Sequence, residues 1–223
     1  EVIPVDQNIE LLHAEAHDHD HDHEHVDEHG HDDEHDHETD HEEGEEFSGI
    51  DPHYWLSVPN AKGMSDQITA ELSRLYPEHA ETFAANNAAY QDELDTLAAE
   101  MNAELSVLGE GESAPRIAVF HNAWSYFGRD HAVNIVASFE PFPGESPSAQ
   151  YLAEFQETVR REAVRAVFSE PQFSTQELEP IAADLGLSIG TIDPIGGVEG
   201  RETYLELMRY NTSQIVSTLQ ELE

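Results

Sequence analysis

Three segments of the sequence place a metal-binding side chain directly after a predicted strand or a rigid turn. His121 follows the apolar run 116–120, and Asp193 follows the run 188–192 and precedes a proline. Ligands bind beyond the carboxyl ends of strands in parallel sheets, so we expect these side chains to lie together. His53 directly follows a proline, and the proline ring restricts the backbone at that point. Two imidazoles and one carboxylate suit zinc, or iron if a coordination position stays open.

Other polar residues are weaker candidates for the same site. Glu170 follows a third predicted strand at 166–168, and Asn122 follows His121. Either could orient a ligand or replace one. The alternatives are an exposed loop histidine at 121 and a helix or turn cap at 193. We expect His79 to be an exposed helix residue and His131 to be a loop residue.

Residues 13–49 are mostly His, Asp and Glu, and we call this segment the histidine-rich tract. With little to bury and with like charges repelling, it is predicted to be a disordered loop. Its dense imidazoles and carboxylates should bind Zn²⁺, Cu²⁺ or Ni²⁺ at several modest sites. The alternative is a solvated spacer. The histidines of the tract are His13, His17, His19, His21, His23, His25, His29, His31, His35, His37 and His41.

The elements that must position these residues alternate between strand and helix. Asn60 is predicted to cap a helix that ends near residue 76, and an unusually long helix is predicted over 77–108. Beyond it, predicted strands alternate with predicted helices. Such alternation indicates an α/β lobe with a four-stranded parallel sheet flanked by helices, joined to the long helix. The predicted strands are 116–120, 133–137, 166–168 and 188–192, and the predicted helices are 123–129, 147–163, 175–185 and 200–222.

Composition excludes several classes of function. The chain has 223 residues, a formal net charge of −39 and no cysteine. Without thiolates it can hold neither a disulfide nor a cysteine zinc site. Such an acidic surface repels nucleic acid and attracts cations. No apolar run is long enough to span a membrane, and a monomer is expected.

The ordered motifs DPHYWLSVPNA, LYPEHAETFAANNAAYQDEL, IAVFHNAWSYFGRDH, SPSAQYLAEF, AVFSEPQFS and TIDPIGG carry a family resemblance. The chain resembles the zinc-binding solute-binding proteins of bacterial ABC importers, of the ZnuA/AdcA type (cluster A-I). This resemblance implies an extracytoplasmic or periplasmic receptor that captures Zn²⁺ and delivers it to a membrane ABC permease, with no catalytic residues. A signal peptide or lipid anchor is expected to lie outside this chain.

The resemblance also implies a ligand set. His53 matches the family's DPHxW ligand, His121 its FHDAY ligand and Asp193 the acidic residue of its LDPLG segment. Histidine rather than glutamate at position 121 favours zinc over manganese, and copper and nickel are less favoured. Asn122 departs from the usual aspartate.

A larger departure concerns the N-terminal lobe, which supplies a further histidine in the family and is expected to be largely absent here. The expected organisation is a remnant strand at 1–12, the tract at 13–49, the ligand segment and long helix at 50–109, and the α/β lobe at 110–223. A histidine of the tract, His13 or His17, is a hypothetical substitute ligand. The alternative functions are a metal buffer acting through the tract and, with less support, a zinc hydrolase.

Overall fold

The computed structural model describes residues 2, 4–13, 49–142 and 144–222. The histidine-rich tract, apart from His13 and Gly49, lies outside these residues. The described part is an α/β protein with a parallel sheet, and the predicted fold class is confirmed. Its strands are β1 (Arg116–Val119), β2 (Asn134–Ser138), β3 (Ala166–Ser169) and β4 (Ser188–Thr191), and its α-helices are α1 (Val58–Leu75), α2 (Ala80–Leu105), α3 (Ser125–His131), α4 (Ala149–Arg161), α5 (Leu178–Leu185) and α6 (Tyr204–Gln220).

Strand order in the sheet is β2-β1-β3-β4, with every neighbouring pair parallel. The segments after β1, β3 and β4 therefore leave one edge of the sheet side by side. These segments begin with His121, Glu170 and Asp193, each within two residues of its strand. The topology thus brings the candidate residues to a single edge, as the sequence predicts.

The long helix is shorter than predicted. The α-helical part, α2, has 26 residues, or about 39 Å at the helical rise. Short 3₁₀ turns at Pro77–His79 and Ser106–Leu108 occupy the two ends of the predicted range. A proline at the start favours such a tight first turn because it lacks a backbone N–H.

Helix α1 begins before the predicted cap. Ser57 is the N-cap, and its Oγ accepts a hydrogen bond from the backbone N–H of Asn60 at 3.1 Å. Asn60 lies inside the helix, and its Nδ2 donates to the Tyr54 carbonyl at 3.1 Å. The hydroxyl of Ser57 therefore satisfies a free N–H of the first turn, where the sequence analysis assigned the capping role to Asn60.

In place of the short strand expected at 1–12, the described residues of this range form a turn and an irregular segment. A single strand has no neighbour to pair with here. The segment is held by hydrogen bonds to distant parts of the chain: the Asp51 N–H donates to the Leu12 carbonyl at 2.8 Å, and the Leu12 N–H donates to the Tyr126 hydroxyl at 2.8 Å. His13 and Ile50 form an isolated antiparallel bridge. The two ends of the histidine-rich tract therefore lie next to each other.

The core has two parts, one on each face of the sheet. Helices α2 and α6 cover one face through fully buried side chains such as Leu97 and Ile215. Helices α4 and α5 cover the other through Phe155 and Leu178. None of the helices in the described part of the chain combines the length and the apolar character that crossing a membrane requires.

His131 is buried, which corrects the expectation of a loop residue. It is the last residue of α3, its Nδ1 lies 2.8 Å from the Asn102 Oδ1 of α2, and its ring packs against Phe127. Its Nε2 is buried and has no hydrogen-bond partner among the described residues. Burial lowers the pKa of His131 below its usual value, and the nearby Asp130 carboxylate only partly offsets this. His79, in contrast, is exposed as expected.

We expect His131 to make the fold acid-sensitive. Above about pH 6.5 the imidazole is neutral in both folded and unfolded chains. Below that pH the unfolded chain binds a proton that the folded chain resists, so stability falls as pH falls. His131→Gln should remove this loss, which is at most about 1.4 kcal/mol per pH unit.

Urea unfolding at pH 7, 6 and 5, with a chelator present, measures the effect. His79→Gln is the matched control, because His79 is 62% exposed and should leave the pH dependence unchanged. Equal slopes for wild type and His131→Gln would contradict the prediction.

Candidate metal site

His53 is held by its neighbour Asp51 in a tight local turn. The Nδ1 of His53 lies 2.7 Å from the Asp51 Oδ1, and the same oxygen accepts the His53 backbone N–H at 2.9 Å. Asp51 itself is buried, and its carbonyl accepts a hydrogen bond from the Tyr126 hydroxyl at 3.0 Å. With Nδ1 engaged by a carboxylate, Nε2 is the nitrogen left for a metal ion.

His121 has a similar carboxylate partner from the next strand. Its Nδ1 lies 2.7 Å from the Glu170 Oε1, and both side chains are buried, Glu170 with only 1% exposure. The contact is an ion pair rather than a hydrogen bond, and both Glu170 oxygens are buried without a hydrogen-bond donor in the described part of the chain. A buried carboxylate without donors is costly unless a positive charge lies close by. A cation bound to His121 would supply that charge.

The two imidazoles contact each other edge to face, and we call them the histidine pair. Their ring centroids are 5.3 Å apart at an interplanar angle of 63°. Trp55 packs against His53 at 5.4 Å, and Phe173 packs against His121 at 5.5 Å. These aromatic contacts fix both rings, so the pair is arranged before any ligand arrives.

Asp193 lies at the same edge of the sheet as His121 and is held by other groups. Its Oδ1 accepts hydrogen bonds from the Gln172 side chain at 2.9 Å and from the N–H groups of Ile195 and Gly196 at 3.0 and 3.1 Å. Its Oδ2 lies 3.1 Å from the Arg201 Nη1. Burial alone would raise the pKa of Asp193, but these hydrogen bonds and the Arg201 charge outweigh it and lower the pKa. The carboxylate is therefore ionised and fully engaged.

Two contacts connect Asp193 to the histidine pair. The Trp55 indole N–H donates to the carbonyl of Pro194 at 2.8 Å. Gln172, which binds Asp193, is followed by Phe173, which contacts His121. Within the described residues, however, no three His, Asp or Glu side chains are close enough together to hold a metal ion. The structure thus brings the two histidines into contact and links Asp193 to them through these intervening residues.

The other candidates were Asn122 and the histidines of the tract, most of which lie outside the described residues. Asn122 is exposed, and its Oδ1 accepts a hydrogen bond from the Ser125 hydroxyl at 3.0 Å. His13 is exposed, and the other ten histidines of the tract lie outside the described residues.

Three residues that hold the candidate ligands, Asp51, Gln172 and Arg201, were not predicted from the sequence. Only Asp51 could have been found, because an aspartate side chain often accepts the backbone N–H of the residue two positions later in an Asx turn.

Several solved structures share this fold. The chain matches a crystal structure of ZnuA over 97% of its own length and 69% of that chain, with a TM-score of 0.72 and 29% identity. It also matches the solute-binding protein FpvC from Pseudomonas aeruginosa in complex with Mn²⁺ over 99% of its length and 71% of that chain, with a TM-score of 0.75. At 24% identity the second likeness shows the fold alone. The fold is that of a solute-binding protein.

A sequence profile described as "ZnuA: Zinc-uptake complex component A periplasmic" matches residues 1–218. The chain belongs to this family, a family of receptors, and the resemblance noted from the motifs is confirmed.

Two curated relatives show how much of the family's length is present. The high-affinity zinc uptake system protein ZnuA of Brucella abortus is 32% identical over 161 residues, which are 71% of this chain and 47% of that protein. The zinc-binding protein AdcA of Streptococcus pyogenes serotype M3 is 29% identical over 167 residues, which are 73% of this chain and 32% of that protein. The chain therefore spans about half the length of the curated relatives, or less.

Proposed function

We propose that this chain is an extracytoplasmic receptor that captures Zn²⁺ and delivers it to a membrane ABC permease. The observation that supports this proposal most directly is the histidine pair, in which a buried carboxylate oxygen lies 2.7 Å from each Nδ1. Carboxylate–histidine–zinc arrangements of this kind fix the ring and make the free nitrogen a better ligand. Membership of a zinc-uptake family points in the same direction.

Zinc is the proposed cargo because the pair offers two nitrogen ligands. Imidazole suits zinc, copper and nickel, whereas manganese prefers oxygen ligands. Solved relatives include a zinc-bound ZnuA deletion mutant that is 30% identical to the chain, and FpvC in complexes with Mn²⁺ and Ni²⁺. The preference for zinc over manganese therefore rests on the donor atoms of this chain and not on the fold.

Asp193 is the proposed third ligand. Among the described residues, its Oδ2 has a single partner, Arg201, whereas Oδ1 has three donors. Release of Arg201 would make Oδ2 available to a metal ion. A water molecule or a histidine of the tract would complete the four-coordinate shell that zinc prefers. No water-activating or nucleophilic arrangement is needed for this function, in agreement with a receptor family.

The tract offers a direct test because its two ends are bridged by His13 and Ile50. Residues 14–48 can be replaced by Asn-Gly, which forms a three-residue hairpin loop with Gly49. We expect the shortened chain to keep one tight zinc site per molecule, measured by competition with a chromophoric chelator. The full-length chain should bind additional, weaker zinc.

A shortened chain without a tight site would contradict the receptor proposal. In that case all metal binding would come from the tract, as expected for a metal buffer. The comparisons lend no support to this alternative. Circular dichroism of the shortened chain establishes that the replacement leaves the fold intact.

A further inference from the structure

Arg201 is a mostly buried arginine that pairs with Asp193 in a very acidic protein. Its side chain is 17% exposed, whereas Arg209, on the following helix, is 46% exposed. The loop between β4 and α6 holds it: the Arg201 N–H donates to the Val198 carbonyl at 2.9 Å, and the Gly197 N–H donates to the Arg201 carbonyl at 2.8 Å. This turn therefore holds the Arg201 guanidinium next to the Asp193 carboxylate.

Glycine is required in this turn. Gly196 has a φ of +72°, and a Cβ built on it would lie 2.9 Å from the Arg201 carbonyl oxygen. The same glycine donates its N–H to the Asp193 Oδ1. Asp193 and Arg201 are therefore fixed by one compact loop.

Arg201 is not needed to position Asp193. Three donors already fix the Asp193 Oδ1, and the side chain of Asn211 holds the Asp193 backbone through two hydrogen bonds at 2.7 and 2.8 Å. The guanidinium binds the one oxygen that these contacts leave free. Its effect is to neutralise that oxygen when no metal is present.

The guanidinium also has a second contact that does not depend on Asp193. Its Cζ lies 4.3 Å from the centroid of the Tyr210 ring. Cation–π contacts stabilise a partly desolvated arginine. The guanidinium can therefore release the Asp193 Oδ2 and remain over Tyr210, so that exchange does not leave a charge without a partner.

We infer that Arg201 is a resident cation that competes with zinc for the Asp193 Oδ2 and so accelerates release of the metal ion. The inference rests on the proposed function, since it assigns Asp193 as a zinc ligand. A receptor that hands its cargo to a permease must release it, and a positive side chain close to the bound ion lowers the barrier to dissociation. Interactions between close charges in a partly buried site are large enough to change a rate by tenfold or more.

The rate of zinc release from the full-length chain tests this inference. Zinc-loaded protein is mixed with excess chromophoric chelator, and the slow phase that is absent from His121→Ala is assigned to the ordered site. Arg201→Met should slow this phase by about tenfold and tighten zinc affinity. Arg209→Met removes the same charge from the exposed pair with Glu100 and should leave the rate unchanged.

The proposed function and the role of Arg201 can fail separately. If no phase depends on His121, the proposed function fails and this inference fails with it. If the phase exists but Arg201→Met releases zinc at the wild-type rate or faster, only the inference is overturned. Arg201→Gln removes the charge but keeps a polar side chain that can hydrogen-bond, so it should slow the phase in the same way if Arg201→Met does not fold. A glutamine variant with wild-type kinetics would then overturn the inference.

Discussion

His121→Ala is expected to weaken zinc binding at the ordered site by at least about 100-fold, since even the partners that orient ligating histidines contribute about 10- to 100-fold. The substitution removes one of the two nitrogen ligands and leaves the buried Glu170 carboxylate without its imidazole. The effect should be as large for His53→Ala, which removes the other member of the pair.

The measurement is chelator competition on the chain in which residues 14–48 are replaced. His79→Ala is the matched control, because that imidazole is exposed and lies outside the site. Thermal unfolding of the metal-free variants separates loss of a ligand from loss of the fold. Wild-type affinity in His121→Ala would exclude the histidine pair as the zinc site.

Phe168→Ala is expected to lower the free energy of unfolding by about 3–5 kcal/mol, the range for large aromatic truncations in a core. Phe168 is fully buried in β3, in the middle of the sheet. It packs so closely on β4 that a Cβ at Gly190 would lie 2.5 Å from its ring. The neighbouring backbone belongs to the sheet and cannot collapse into the cavity, so the loss should fall in the upper part of the range.

Chemical denaturation at pH 7 measures this loss. Phe142→Ala removes the same atoms from a side chain that is half exposed, and it should cost less than about 1 kcal/mol. Similar values for the two variants would show that the packing of Phe168 does not determine stability.

Much of the fold was predictable because apolar runs and helical periodicity are local signals. The four strands fall close to the predicted ranges, and the parallel order places His121, Glu170 and Asp193 at one sheet edge. Whether His53, His121 and Asp193 together bind zinc remains a prediction.

The details that the sequence did not predict depend on distant contacts. His131 is buried because Asn102, 29 positions away, lies opposite it on α2. Arg201 reaches Asp193 because glycines allow the intervening loop to turn back. No local pattern encodes such contacts, since they appear only when separate elements have packed.

The bridge between His13 and Ile50 has an evolutionary consequence. Because it joins the residues on either side of the histidine-rich tract, the length of the tract is nearly free to vary: doubling the length of a loop costs only about 0.6 kcal/mol in closure entropy. Mutations that lengthen, shorten or change the tract can therefore accumulate without disturbing the fold of the described residues.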